Sequence, residues 1–135
     1  KELIIFTDGG SRGNPGPSAV GAVLFNKEGD IVEKISEYIG TATNNVAEYM
    51  AVIYGLQEAV YYGAEKVVLK LDSQLVARQL RGEYRVKDKH LKKFFGLAVN
   101  LLRGIKSVDI KEIPREKNKE ADFLVNKALD REVLI

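Results

Sequence analysis

The feature that most constrains this chain is a short apolar run, Leu3 to Phe6, that leads into Asp8 and then into glycines and prolines as far as Pro17. A short run of branched apolar residues bounded by turn residues is typical of a buried central strand. A strand that ends in a carboxylate places negative charge at the rim of a sheet, where open α/β folds bind their ligands. Glycines after the carboxylate let the backbone approach a ligand closely. We therefore expect Asp8 at a binding site.

The rest of the chain alternates between strand patterns and helix patterns. Strands are predicted at residues 3–6, 19–25, 31–39, 66–71 and 108–113, and helices at about 41–62, 73–80, 88–102 and 117–130. This order, β-β-β-α-β-α-α-β-α, predicts an α/β fold with a five-stranded mixed sheet and helices on both faces. The first, fourth and fifth strands are expected to be parallel.

The predicted helices carry apolar residues at helical spacing, which indicates the faces that they bury. The first long helix is expected to bury Ala47, Met50, Ala51, Tyr54 and Ala59. The last helix is expected to bury Ala121, Leu124, Val125, Ala128 and Leu129.

Length and composition exclude several classes of protein. A chain of 135 residues fits one domain, residues 1–135, that buries a core without disulfides. The absence of cysteine excludes disulfides, thiolate zinc sites and a cysteine nucleophile. No apolar run approaches the length of a membrane span. We expect a cytoplasmic monomer with no membrane association.

The charge is unevenly distributed along the chain. Residues 1–65 hold 4 Lys and Arg against 9 Asp and Glu, whereas residues 66–135 hold 17 against 10, so the halves carry −5 and +7. Such asymmetry is compatible with a polyanionic partner, with metal held by the acidic half. An unevenly charged solvated surface is the simpler explanation when charge is considered alone.

Four carboxylates on four predicted elements are candidates for one metal site. Asp8 and Asp72 end two strands expected near the middle of the sheet, Glu48 is placed in the first turn of the first long helix, and Asp122 is placed in the first turns of the last helix. Like charges this close resist joint ionisation unless a cation neutralises them. Oxygen ligands without His or Cys favour Mg²⁺, with Mn²⁺ as a substitute, and two such ions support phosphoryl displacement.

Each of these carboxylates also has an ordinary structural explanation. Asp8 can stabilise a turn with its own loop. Asn45 and Glu48 fit a capping box, Asp72 or Ser73 fits a helix N-cap, and Asp122 can be a solvated helix charge. Taken singly these explanations are favoured, but the combined order and spacing favour a shared metal site.

The context of the four carboxylates resembles the type 1 ribonuclease H family over essentially the whole chain. The matching segments are Thr7-Asp8-Gly9-Gly10-Ser11 with Gly13-Asn14-Pro15-Gly16-Pro17, Thr43-Asn44-Asn45 with Ala47-Glu48-Tyr49, Asp72-Ser73-Gln74, and Glu120-Ala121-Asp122 with Leu124. The resemblance implies hydrolysis of the RNA strand of an RNA–DNA hybrid, leaving 5′-phosphate and 3′-hydroxyl ends.

The resemblance also implies a role for individual residues. Asp8 is implied to bridge two metal ions, with Glu48 and Asp72 as ligands of one ion and Asp122 as a ligand of the other. Amide side chains that both donate and accept suit ribose hydroxyls and base edges in the minor groove of the hybrid. The predicted substrate contacts near the carboxylates are Gly9, Gly10, Asn14, Thr43 (to a phosphate of the DNA strand), Asn44, Asn45, Gln74 and Arg115.

Two departures from the family pattern stand out. Many members carry a histidine in the loop before the last aspartate, whereas this loop holds Arg115 and Glu116, either of which takes the histidine's place. The only histidine, His90, is expected on a helix surface. The segment 81–89 is too short for the projecting basic helix of many members, which is typical of the compact archaeal and some bacterial forms and of the domain in reverse transcriptases.

The compact form needs another way to hold a polyanion. Residues 81–93 carry six Lys and Arg against two acidic residues, so we expect Lys87 and Lys89 to contact the phosphates of the hybrid. A solvated helix start is the alternative explanation for this segment.

Two other functions are alternatives for the whole chain. A binding module that has lost catalysis would be expected to lack at least one of the four carboxylates. A polynucleotidyl transferase of the integrase type would need appended DNA-binding domains.

Overall fold

A computed structural model describes residues 1–133 of the chain. The strands are β1 (Glu2–Ser11), β2 (Gly16–Asn26), β3 (Ile31–Ala42), β4 (Lys66–Leu71) and β5 (Ser107–Glu112). The helices are α1 (Asn44–Tyr61), α2 (Gln74–Leu80), α3 (Lys89–Arg103) and α4 (Lys119–Val133), and a 3₁₀ turn (Arg115–Lys117) precedes α4.

The five strands form one mixed sheet in the order β3-β2-β1-β4-β5. β1, β2 and β3 pair as an antiparallel meander, and β4 and β5 add to the other edge of β1 as parallel strands. The α/β architecture predicted from the sequence is confirmed. In the centre lies β1, whose short apolar run has neighbours on both sides.

The predicted end of β1 is wrong, because the strand continues beyond Phe6 through Asp8 and both glycines to Ser11. Its antiparallel pairing with β2 extends to Ser11↔Ser18, which keeps the glycines in the ladder. Its parallel pairing with β4 ends earlier, at Thr7↔Leu71. Asp8 is therefore the first residue of β1 beyond the parallel partner, at the rim of that half of the sheet.

The larger core lies between the sheet and α1, with α3 packed outside α1. Because α1 packs against both the sheet and α3, it buries residues on more than one side of the helix, including Tyr49, Val52 and Leu56. These three residues were not among those predicted from the sequence. Met50 and Tyr54, predicted to be buried, are only partly buried at the edge of this core.

The opposite face of the sheet is covered by α4, which buries the five apolar residues predicted for it. Two glycines let helices approach the sheet closely. A Cβ on Gly9 would lie 2.1 Å from the carbonyl oxygen of Ala47 in α1, and a Cβ on Gly21 would lie 2.3 Å from that of Ala121 in α4. Because Asp8 pairs with Gly21, its side chain projects to the face that α4 covers.

Candidate active site

Three of the four predicted carboxylates converge at the rim of the sheet. Asp8, Glu48 and Asp72 each offer one oxygen, and these oxygens all lie within 4.8 Å of one another. Asp8 and Glu48 are buried, and Asp72 is partly buried. Asp8 lies where the parallel pairing of β1 ends, Glu48 comes from α1 where that helix contacts Gly9, and Asp72 lies in the turn after β4.

Glu48 is held by β1, not by its own helix. Thr43 is the N-cap of α1, with its hydroxyl accepting from the backbone N–H of Val46, so the capping box considered for Asn45 and Glu48 does not form. Glu48 is the fifth residue of α1, not a residue of its first turn. Its Oε1 accepts a hydrogen bond of 2.8 Å from the N–H of Gly9, where the backbone of α1 lies tightly against β1.

The carboxylate of Asp72 is held by a residue that the sequence analysis did not single out. Ser73 is the N-cap of α2, which leaves the Asp72 side chain free of a capping role. The side-chain amide of Asn118 donates to Asp72 Oδ2 at 2.9 Å and to the carbonyl oxygen of Thr7 at 2.8 Å. Asn118 is fully buried between the 3₁₀ turn and α4.

Burial and mutual repulsion raise the pKa values of the two buried carboxyls. Burial is the main cause of the increase in the pKa of Asp8 from 3.8 to about 7, followed by the charges of Asp72 and Asp122. Burial and the charge of Asp8 raise the pKa of Glu48 well above its usual range, although the Gly9 hydrogen bond opposes this. Paired like charges in a cleft are typical of a site that binds a cation.

Asp122 completes the acidic side of the cleft from α4. It lies outside the group formed by Asp8, Glu48 and Asp72, is exposed, and is close enough for its charge to raise the pKa of Asp8.

Arg115 also lines the cleft, which has a volume of about 180 Å³, whereas Glu116 is not among the lining residues. Arg12, a further lining residue that the sequence analysis missed, forms an ion pair of 2.7 Å with Asp130.

Of the predicted amide contacts, Asn44 lines the cleft, and Asn14 and Asn44 connect the loop after β1 to the start of α1. Asn14 accepts from the backbone N–H of Asn44 at 3.0 Å, and Asn44 accepts from the backbone N–H of Ser11 at 3.1 Å. Asn45 and Gln74 are exposed in the first turns of α1 and α2. The N–H of Gly9 donates to Glu48, and both Gly9 and Gly10 line the cleft.

The basic segment does not line the cleft. Lys87 and Lys89 are exposed where the connection from α2 enters α3, and neither lines the cleft. Asp88 is the N-cap of α3, so the local structure at this point is a helix start. His90 is exposed on the first turn of α3, as predicted, with its ring edge-on to Phe94.

The donor set fits a divalent cation bound through oxygen. Three carboxylates within 4.8 Å, two of them buried, supply hard ligands and more negative charge than a buried site tolerates alone. Asp122 adds a further carboxylate near this group, since its charge raises the pKa of Asp8. Within residues 1–133, no helix has both the length and the apolar character that a membrane crossing requires.

Comparison with known proteins places this chain in a family. The model of the reverse transcriptase-like family matches residues 6–128. Ribonuclease HI of Halobacterium salinarum is 46% identical over 125 residues, which are 93% of this chain and 63% of that protein. A bifunctional protein of Mycobacterium tuberculosis is 40% identical over 130 residues, 96% of this chain and 36% of that protein. The chain thus spans less than two thirds of the length of these curated relatives.

Solved structures match the fold over nearly the whole chain. RNase H1 from Halobacterium salinarum superposes with a TM-score of 0.94 at 44% identity, covering 97% of this chain and 99% of that one. LC11-RNase H1, solved in complex with an RNA/DNA hybrid, superposes with a TM-score of 0.92 at 40% identity and the same coverage. With the family match, the sheet and the acidic cleft in agreement, the chain belongs to the type 1 ribonuclease H family.

Proposed function

We propose that this chain hydrolyses the RNA strand of RNA–DNA hybrids with two divalent metal ions, leaving 5′-phosphate and 3′-hydroxyl ends. The observation that carries the proposal is the convergence of Asp8, Glu48 and Asp72 within 4.8 Å at the floor of an open cleft. One similar structure, LC11-RNase H1, is of a complex with an RNA/DNA hybrid. That is the substrate we assign to this cleft.

The carboxylates define where the reaction takes place. Asp8, Glu48 and Asp72 would hold one ion, and Asp8 and Asp122 would hold the other. Mg²⁺ is the proposed ion, with Mn²⁺ as a substitute, because the ligands are all hard oxygens. The chemistry that two bound cations supply is activation of the attacking water and neutralisation of charge on the attacking and leaving oxygens.

Arg115 is the better candidate for the position that a histidine occupies in many relatives. It lines the cleft with the carboxylates, whereas Glu116 does not. A guanidinium stays protonated, so it cannot relay a proton as histidine does. Its proposed role is therefore to bind the scissile phosphate and stabilise its charge in the transition state.

Recognition of the hybrid is assigned to the cleft end built by Asn14 and Asn44, with Asn45, Gln74, Thr43 and Gly10 beside it. Amides supply donors and acceptors for ribose 2′-hydroxyls, which distinguish RNA from DNA. The loop-to-loop hydrogen bonds of Asn14 and Asn44 fix the spacing of this surface. Lys87 and Lys89 are proposed to add phosphate contacts at its flank. All four carboxylates come from one chain, so we propose that the chain acts as a monomer.

The test is digestion of matched duplexes. A labelled RNA–DNA hybrid, an RNA duplex and a DNA duplex of one sequence are incubated with the protein in Mg²⁺, in Mn²⁺ or in EDTA. We expect cleavage of the RNA strand of the hybrid only with metal, and products that accept ligation through their 5′-phosphates. Undiminished cleavage in excess EDTA would contradict the mechanism.

A matched pair of variants separates catalysis from binding. Asp72→Asn should abolish cleavage yet still retain the hybrid on a filter, whereas the exposed Asp109→Asn, on β5, should cleave at the wild-type rate. A wild-type chain that binds hybrid but leaves every strand intact would identify a binding module instead.

A further inference from the structure

The buried Asn118 has a hydrogen-bonding arrangement that its place in the fold alone does not require. Its Nδ2 donates to two acceptors, the carbonyl oxygen of Thr7 at 2.8 Å and Asp72 Oδ2 at 2.9 Å. These partners are 111 and 46 residues away along the chain. Its own backbone carbonyl accepts from the N–H of Asp122 at 3.1 Å. One residue thus connects the strand before Asp8, the carboxylate of Asp72 and the turn that carries Asp122.

The orientation of the Asn118 amide is fixed by chemistry. A reversed amide would place Oδ1 against a carbonyl and a carboxylate, two groups that only accept. The NH₂ group must therefore face them, and Oδ1 is left buried with no partner within residues 1–133. A buried acceptor without a partner is unfavourable and calls for an explanation. The explanation lies in the two hydrogen bonds made by the other half of the amide.

An amide is the side chain that meets both needs of this position. It supplies two donors, so it holds Thr7 and Asp72 together, and it is neutral, so it leaves the negative charge of Asp72 for a cation. A lysine or arginine here would neutralise Asp72 and compete with the metal. With Oδ2 held by the amide, rotation of the Asp72 carboxylate is restricted.

We propose that Asn118 is a positioning residue that presets the Asp72 carboxylate for divalent metal and fixes its distance from Asp8. It acts through Asp72 and touches neither the ion nor the substrate. Partners that orient metal ligands in this way typically contribute roughly 10- to 100-fold to metal affinity or activity. The consequence for catalysis rests on the proposed function, but the consequence for metal binding does not.

The experiment measures metal binding without substrate. Asn118→Leu keeps the branched shape but removes the donors and the unpaired acceptor, Asn118→Ala removes the side chain, and Asn100→Leu makes the same change on the exposed face of α3. Mn²⁺ alone is titrated into each folded protein and followed by the electron paramagnetic resonance signal of the free ion. We expect the Kd for Mn²⁺ to rise about 10-fold or more in both Asn118 variants and to stay unchanged in the control.

Hybrid cleavage adds a second readout. The Mn²⁺ concentration for half-maximal activity should rise by the same factor, while kcat at saturating Mn²⁺ should approach the wild-type value. A Kd for Mn²⁺ equal to that of wild type would overturn the proposal and leave Asn118 a purely structural role, and so would the failure of both variants to fold. A wild type that binds Mn²⁺ but does not cleave would instead contradict the proposed function alone.

Discussion

Asp8 lies close to other carboxylates, and the repulsion among them would be relieved by a bound cation. Its carboxylate lies on the central strand, 8% exposed, with two other carboxylates within 4.8 Å. In the absence of a cation, this repulsion opposes folding. We expect such sites to lower the stability of the metal-free protein and to recover it on metal binding.

Asp8→Asn should therefore change how the stability of the metal-free protein depends on pH. Because the pKa of Asp8 is raised from 3.8 to about 7 on folding, the unfolded state binds fewer protons between these values, and the free energy of unfolding falls as pH rises. Each pKa unit corresponds to about 1.4 kcal/mol, so the loss by neutral pH is on the order of a few kcal/mol. A neutral amide in place of the carboxylate avoids this loss.

The measurement is denaturant unfolding in EDTA at about pH 4, 6 and 8. The two proteins should be nearly equal in stability at the lowest pH, with the variant more stable at the highest. Asp109→Asn, at an exposed carboxylate, serves as the control and should follow the wild type. Parallel pH profiles for wild type and Asp8→Asn would show that folding does not raise the pKa of Asp8.

Arg115 offers a second test at the residue scale. If its guanidinium stabilises the transition state, Arg115→Ala should lower kcat on the order of 100-fold with little change in KM. Glu116→Ala is the matched control, because Glu116 is the next residue in the same 3₁₀ turn but does not line the cleft. Steady-state kinetics of both variants on one hybrid substrate measures kcat and KM. A loss of kcat confined to the Glu116 variant would reverse the assignment.

At the element scale, the site depends on how closely two helices approach β1 and β2. Gly9 allows the backbone of α1 to reach β1, and Gly21 allows the backbone of α4 to reach β2 beside Asp8. The first contact delivers Glu48 and the second delivers Asp122. The glycines act by lacking a side chain, and the left-handed conformations that glycine permits are not involved at these positions.

Gly9→Ala should therefore be far more disruptive than Gly10→Ala. A Cβ at Gly9 would lie 2.1 Å from a backbone oxygen and 2.5 Å from the nitrogen of Glu48, whereas a Cβ at Gly10 meets only a methyl of Val125 at 3.2 Å. We expect a loss on the order of 3 kcal/mol or more for Gly9→Ala and under about 1 kcal/mol for Gly10→Ala. Thermal melts of both variants measure this, and equal melting temperatures would disprove the close-approach explanation.

At the scale of the whole molecule, opposite charges are separated along the chain. The acidic first half supplies two of the four carboxylates, and the +7 of the second half includes the exposed Lys87 and Lys89. Separate acidic and basic regions are the arrangement expected for a protein that holds a polyanion over bound cations, as we propose for this chain.

Lys87→Ala with Lys89→Ala should weaken hybrid binding and flatten its dependence on salt. Each lost phosphate contact lowers the slope of log K against log salt by about one unit, because fewer counterions are released. Turnover at saturating substrate should be nearly unchanged. Lys66→Ala with Lys106→Ala, near the opposite ends of the parallel strands, is the control. Filter binding across a salt series that gives identical slopes would assign the Lys87 and Lys89 pair to solubility alone.

Local sequence patterns were sufficient to predict the order of the elements and to point to the four carboxylates. Apolar periodicity and turn residues are local properties, so they predicted the five strands and four helices, with shifted ends. β1 was predicted too short because pairing with β2, not local composition, keeps Asp8 and its glycines in the ladder. Local rules also suggested a capping box for Asn45 and Glu48, which does not form because Thr43 caps α1, whereas of the two caps suggested for α2, Asp72 and Ser73, Ser73 is the one observed.

How the carboxylates are held, and which loop residue faces them, depends on tertiary packing. The partners of Glu48 and Asp72, Gly9 and Asn118, are 39 and 46 residues away along the chain. No periodicity or spacing encodes such a contact, because it exists only once the helices have packed on the sheet. The same packing turns Arg115 into the cleft and leaves Glu116 outside it. The order and spacing of the carboxylates can be recognised in the sequence, but their geometry arises only from long-range packing.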